Sequence, residues 1–192
     1  MAKLVFLGPP GAGKGTQAIR IAEFYQLPHI STGDILRTNV AQKTPLGIQA
    51  KLYMNRGDLV PDKLILGMVE QRLKNSDTEN GWILDGFPRN VNQANFIEKL
   101  LSTSKNQKAK IINPFIVINI EVPDDVLVSR LLSRGRRDDN VDTIKNRLEV
   151  YHQQTKPLIE FYQERQQLIS IDGNQSVDAV THSLKQAVDL SF

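Results

Sequence analysis

The chain has 192 residues, 40% of them apolar and 23% charged, the make-up of one globular domain with enough chain to bury a sizeable core. It holds no cysteine, which excludes disulfides, a thiolate nucleophile and a cysteine zinc site, and fits a reducing, cytoplasmic compartment. Lys and Arg outnumber Asp and Glu by 24 to 21, a net charge of +3, too mild to name a polyanionic partner by itself.

The start, Met1-Ala2-Lys3, runs directly into a strand with no signal peptide. No apolar run approaches the ~20 residues that span a bilayer. Lys3–Leu7 reads as a buried strand and is followed by Gly8-Pro-Pro-Gly-Ala-Gly-Lys-Gly-Thr16. A helix is expected over 14–25, with Ala18, Ile21, Ala22 and Tyr25 at helical spacing. A strand, a glycine-rich loop and a helix start make a phosphate cradle. Backbone N–H groups turn inward, the helix N-terminus adds partial positive charge, and Lys14 adds a full one. The spacing from Gly8 to Gly13-Lys14 matches the P-loop pattern G-x-x-x-x-G-K. Without the flanking strand and helix, the same residues would serve any tight turn with a solvated lysine. One position departs from the pattern: Gly15 follows Lys14, and the hydroxyl comes a step later at Thr16. Magnesium is therefore not expected to rest on a side chain of this loop as it would in a GTPase.

Further strands are expected at 28–30, 82–85, 115–120 and 168–172, and helices at 33–42, 62–75, 91–103, 124–134, 141–165 and 176–188. Cap signals stand at Thr32-Gly33-Asp34, Pro61-Asp62, Pro123-Asp124, Asp139-Asn140 and Ser176. The alternation of strand and helix predicts an α/β fold, a mostly parallel sheet with helices on both faces. Ligands bind beyond the carboxyl ends of such strands. The exits at 8–16, 31–34, 85–89 and 172–175 are polar and contain glycine, and are expected to converge around the phosphate loop. The stretch 102–110 is polar and lysine-rich and reads as an exposed loop. Four of the eleven arginines, Arg130, Arg134, Arg136 and Arg137, fall within eight residues. With no aromatic side chains interleaved, the cluster suits a polyanionic small molecule better than a nucleic acid.

These motifs, taken together, resemble the adenylate kinases, within the nucleoside monophosphate kinases. The resemblance covers nearly the whole chain. It is carried by residues 8–16, by His29-Ile-Ser-Thr-Gly-Asp-Ile-Leu-Arg37, by Gly57-Asp-Leu-Val-Pro-Asp62, by Asp85-Gly-Phe-Pro-Arg89 with Gln93, and by Arg130-Leu-Leu-Ser-Arg-Gly-Arg-Arg-Asp-Asp139. Arg147 and Tyr151-His152 follow. The resemblance implies a P-loop NTPase three-layer sandwich with a five-stranded parallel sheet. It also implies a core of 1–30, 61–129 and 138–192, a helical NMP-binding insert at 31–60 and a short lid at 130–137. The implied reaction is reversible transfer of a phosphoryl group from ATP to AMP, giving two ADP, with Mg²⁺. A monomer that binds neither nucleic acid nor membrane is expected.

Residue by residue, the resemblance makes Lys14, with the backbone of Gly11, Ala12, Gly13, Gly15 and Thr16, the ATP phosphate cradle. Arg37 and Arg89 become the clamp on the AMP phosphate, which suits the planar fork of arginine. Thr32, Gly86 and Gln93 match the adenine-reading positions of the AMP site. Asp58, Leu59 and Val60 line the same site, and Phe87 and Pro88 are further substrate-binding positions. Asp85 matches the carboxylate that holds Mg²⁺ through water; alone, it would read as a strand-end cap. Arg130 would stack on the ATP adenine, with Gly173 and Gln175 as a backbone edge. Arg134, Arg136 and Arg147 would meet the phosphates in the closed state. Asp138 and Asp139 would orient these arginines by ion pairing or cap the following helix. Many relatives carry a long insert at the lid, whereas here only Gly135 separates Arg134 from Arg136. Mobile lids exclude water from such reactions, those of adenylate kinases themselves among them. Two rival readings stand beside this one: a UMP/CMP kinase of the same family, and a P-loop ATP-binding module with no acceptor.

Overall fold

A computed structural model of the chain describes residues 2–102, 115–136 and 139–191. The lysine-rich stretch beyond Ser102, together with Arg137 and Asp138, lies outside the described residues. In chain order the elements are β1 (Lys3–Leu7), α1 (Lys14–Tyr25), β2 (His29–Ser31), α2 (Thr32–Ala41), α3 (Pro45–Arg56) and α4 (Asp62–Leu73). A short 3-10 turn (Ser76–Thr78) follows, then β3 (Trp82–Asp85), α5 (Val91–Ser102), β4 (Ile116–Glu121), α6 (Asp124–Arg134) and α7 (Val141–Val150). A π turn (Tyr151–Thr155), α8 (Pro157–Gln163), β5 (Leu168–Asp172) and α9 (Val177–Asp189) complete the described chain.

The five strands form one parallel sheet in the order β2-β3-β1-β4-β5. Side chains alternate across a strand, so β1 feeds two cores. Val5 and Leu7 pack with Trp82, Leu84, Phe87, Ala94, Ile97, Leu158 and Tyr162 on one face. Leu4 and Phe6 pack with Ala18, Ile21, Leu127, Val180 and Leu184 on the other. The helix after β1 therefore covers one face and the helix after β3 the opposite one. β1 and β3 are neighbours, paired from Lys3 with Trp82 to Phe6 with Asp85. Their diverging exits open a crevice between them, the position where α/β sheets bind ligands.

The observed elements depart from those expected in three ways beyond shifts of a residue or two at helix ends. A further helix, α3, fills the space between α2 and α4. Thr44 caps it by accepting from Gly47 N, Pro45 occupies its first turn, and Gly57 ends it at φ +84°. The long helix expected over 141–165 is broken by the π turn at Tyr151–Thr155. β2 and β4 each lie one residue later than expected. Among the caps, Asn140 accepts from Thr143 N and Ser176 from Ala179 N, as expected. At α2 the cap is Ser31, accepting from Asp34 N.

Helices α2 and α3 pack so closely that a Cβ on Gly47 would stand 2.0 Å from Asn39 O, whereas one on Gly67 of α4 would meet nothing within 4 Å. Gly47→Ala is expected to destabilise the protein by about 1–3 kcal/mol through backbone displacement. Gly67→Ala should stabilise it by up to about 1 kcal/mol through helix propensity. Urea unfolding midpoints check both, and equal midpoints for the two variants would refute the packing argument.

Candidate active site

The carboxyl ends of the strands surround one cleft of about 710 Å³. The loops expected to converge do so: residues from 8–16, 31–34, 85–89 and 173–175 all line it, together with 57–60 and the arginines of α6 and α7. Every candidate site residue from the sequence lines this cleft except Phe87, whose ring is fully buried in the core. The Phe87–Pro88 peptide between the core and the cleft is cis.

The loop after β1 turns by placing Gly8, Gly11 and Gly13 at φ +136°, +87° and +91°, conformations open mainly to glycine. At Gly8 space is a second constraint, since a Cβ would stand 2.5 Å from Ile120 O. Lys14 opens α1 and bends back over the loop, donating to Gly8 O at 2.7 Å and Pro9 O at 2.8 Å. Burial lowers its pKa to about 8; Asp85 opposes the shift, and Arg89 and Arg134 add to it. The loop thus holds a cation that is poorly solvated and crowded by other cations.

Asp85 ends β3 facing this lysine. Burial alone would raise its pKa, but nearby His29, Lys14 and Arg89 more than compensate, and its pKa falls below the usual carboxylate range. His29 Nε2 lies 3.6 Å from Asp85 Oδ2. A Cβ on Gly15 would stand 3.4 Å from the same oxygen, so loop and carboxylate touch where the pattern residue is missing. Among the described residues no group of three or more His, Cys, Asp or Glu side chains could hold a metal. An ionised carboxylate beside the phosphate loop suits a cation that keeps most of its own water.

Beside it, Arg89 Nε donates to Gly86 O at 2.9 Å. Arg89 is exposed to the cleft. Desolvation by the cleft walls lowers its pKa, Asp85 opposes the shift, and Arg147 and Arg37 add to it. Thr32 Oγ1 donates to Gly86 O at 2.9 Å, and a Cβ on Gly86 would come within 2.8 Å of that hydroxyl. Arg37 is held on Asp34 through Nε and Nη2. Gln93 is buried, with Oε1 accepting from Arg89 N and Nε2 donating to Asp62 Oδ1, both within 2.8 Å. One N–H and one lone pair of that amide remain for a ligand. Asp62, read in the sequence only as a helix-start signal and the end of the 57–62 motif, and Asn90, not named there, hold this amide and the turn before it. Thr155 in the π turn was also missed. It donates to Arg89 O at 2.8 Å, and a helical period cannot reveal such a turn.

On the far side, Arg130 donates to Gly173 O at 3.1 Å. Gly173 admits no side chain, because a Cβ would lie 2.4 Å from Ile120 Cγ2. Gln175 is tied to Asp172 Oδ2 at 2.9 Å. Asp139 gathers two of the cleft arginines. Arg134 donates to both its oxygens, at 2.7 and 2.9 Å, and Arg147 Nη1 donates at 2.9 Å. Its side chain has no exposed surface, and the Arg134 hydrogen bonds outweigh desolvation to keep it ionised. Asp139 therefore pairs ions, while its neighbour Asn140 caps α7. Arg136 reaches the cleft as well.

A glycine-rich loop and lysine at the β1–β3 crevice of a five-stranded parallel sheet define a P-loop NTPase fold. The family model described as adenylate kinase matches residues 6–167. An adenylate kinase of Trichodesmium erythraeum is 65% identical over 190 residues, covering 98% of both chains. An adenylate kinase 1 of Synechocystis is 56% identical, with 98% coverage of each chain, and one of Nostoc 53%, covering 96% of this chain and 97% of its own. The chain belongs to the adenylate kinase family, and is an enzyme of the transferase class.

The Lys14 environment predicts a proton uptake. Above the pKa of about 8 the amine is largely neutral, and phosphate oxygens at the loop would raise the pKa again and recharge it. Binding of a nucleoside triphosphate at about pH 9 should therefore take up close to ~1 proton, and at about pH 7 almost none. Titration calorimetry in two buffers of different ionisation enthalpy measures this, with Lys14→Met as the variant expected to lose the uptake.

Proposed function

We propose a division of the cleft between two nucleotides for the reaction of this family. As an adenylate kinase, the chain passes the terminal phosphoryl group of ATP to AMP, reversibly giving two ADP. The donor phosphates occupy the 11–16 loop and Lys14, with the donor base between Arg130 and the 173–175 edge. The acceptor phosphate is gripped by Arg37 and Arg89, and its base lies along Thr32, Asp58, Leu59, Val60, Gly86 and Gln93, with Pro88 beside it. The observation that carries this reading is the second cation pair, Arg37 and Arg89, in the same cleft as the loop lysine. A module that only binds or hydrolyses ATP has no use for it.

An acceptor phosphate oxygen attacks the γ-phosphorus in line, the bond to the β-bridging oxygen breaks, and ADP leaves with that electron pair. No covalent enzyme intermediate is needed, so catalysis rests on alignment and on stabilising spread negative charge. Lys14, Arg89, Arg134, Arg136 and Arg147 are the cations available for it. Magnesium, when bound, neutralises the polyphosphate; Asp85 would hold its water shell. The helical insert at 31–60 and the short lid at 130–137 would close over the pair and exclude water, against the core of 1–30, 61–129 and 138–192. Among the described residues no helix is long and apolar enough to cross a membrane; a cytoplasmic monomer without nucleic-acid partners fits this reading.

A coupled assay with AMP, UMP, CMP and GMP at equal concentration tests the acceptor: AMP should turn over fastest, and faster turnover of UMP or CMP would overturn the adenylate reading. Arg89→Ala should lose on the order of 3 kcal/mol of transition-state stabilisation, ~100-fold or more in kcat/KM. Wild-type kinetics in that variant would remove Arg89 from the site. Gln93→Ala should lose less activity and mainly blur the choice of base.

A further inference from the structure

Helix α7 carries two sets of contacts on different sides. Arg147 points to Asp139 and the lid arginines. Its chain neighbour Asn146, about 100° around the helix, points to the end of α3. Its Nδ2 donates to Arg56 O at 2.8 Å and to Asp58 Oδ1 at 2.8 Å. One turn earlier, Thr143 Oγ1 donates to Asn55 O at 3.1 Å. Between these contacts Gly57 lies directly on α7. Its φ is +84°, and a Cβ there would meet Thr143 O at 2.8 Å and Arg147 Cγ at 2.9 Å. The turn that ends α3 is thus seated on α7 by backbone contact and tied to it by the Thr143 hydroxyl and the Asn146 amide.

We propose that Asn146 is a positioning residue for the acceptor nucleotide, fixing the 56–58 turn from which Leu59 and Val60 enter the cleft. The inference rests on the reading of 58–60 as part of the acceptor site. Both hydrogens of the amide are spent on the turn, one on a backbone carbonyl and one on a carboxylate, so the turn is held in position and in orientation. Losing the amide leaves Asp58 and Arg56 O to water, and the turn gains freedom that acceptor binding must then remove. The donor loop at 8–16 makes no contact with Asn146 among the hydrogen bonds of the described residues, so the effect should fall on one substrate.

Asn146→Ala is expected to raise KM for AMP by on the order of 5-fold, leave KM for ATP unchanged, and change kcat little. In a double-mutant cycle with Asp58→Ala, the two substitutions together should raise KM for AMP by less than the product of their separate effects. Equal changes in both KM values, a change confined to thermal stability, or strict additivity in the cycle would each overturn the proposal. Should the alanine variant not fold, Asn146→Asp keeps the volume, sets a like charge against Asp58, and should show the same selective rise. Arg37→Ala serves as the reference for the acceptor reading itself. If it leaves KM for AMP unchanged, that reading fails. If it raises KM for AMP while Asn146→Ala does not, the reading stands and the role of Asn146 fails.

Discussion

The structure must hold several cations close together in a protein cleft before any phosphate is there to neutralise them. Lys14, Arg37, Arg89, Arg130, Arg134, Arg136 and Arg147 all line one space. Two like charges ~7 Å apart repel by about 2 kcal/mol at the effective dielectric of a protein surface. The fold meets this with oxygen atoms set against the cations. Gly8 and Pro9 carbonyls hold the Lys14 ammonium, Asp34 holds Arg37, the Gly86 carbonyl holds Arg89, and Asp139 holds Arg134 and Arg147. Each is a local contact, within eight residues of its cation. Burial is the main cause of the depressed Lys14 pKa, but Arg89 and Arg134 still add to it, so some repulsion remains. A polyphosphate entering the cleft would relieve repulsion as well as form hydrogen bonds, and a neutral ligand of the same shape would do neither.

That concentration of charge depends on the sheet. β1 and β3 send their chains to opposite faces, so the loop after β1 and the turn after β3 part and leave a crevice. Glycines set how near the loops approach each other. Gly8 and Gly173 both lie against Ile120, and Gly86 lies between Thr32 and Arg89. A methyl group at any of the three would push a loop off its neighbour, and the cations would no longer share one space. The order of strands and the size of three residues thus place Lys14, Asp85, Arg89 and Arg130 around a single cleft.

Much of this was legible in the residues. The β1 loop is written in contiguous chain, and its glycines and lysine announce their conformation and charge locally. The strand exits were legible because a parallel sheet puts them all at one end. What escaped was non-local or aperiodic. Helix α3 has a weak apolar stripe, with Ile48 and Leu52 exposed at more than 60%, and only Thr44, Pro45 and Gly57 mark its ends. The π turn looks like continuous helix, because one extra residue per turn leaves no mark on composition. Gln93 reads as a solvated amide until the fold brings Asp62, 31 residues away, to its Nε2. Asp139 carried two readings, and only its packing against Arg134 and Arg147 separates ion pairing from capping.

Two groups of contacts meet on α7. Between the end of α6 at Arg134 and the start of α7 at Val141 lie six residues, and the arginines on either side are tethered to the helices themselves: Arg134 closes α6, Arg147 sits in α7, and Asp139 ties the two. α7 also seats the last turn of α3 through Thr143 and Asn146. A displacement of α7 would therefore act at once on the Arg134–Asp139–Arg147 ion pairs and on the turn that ends α3, since both sets of contacts are made by the same helix.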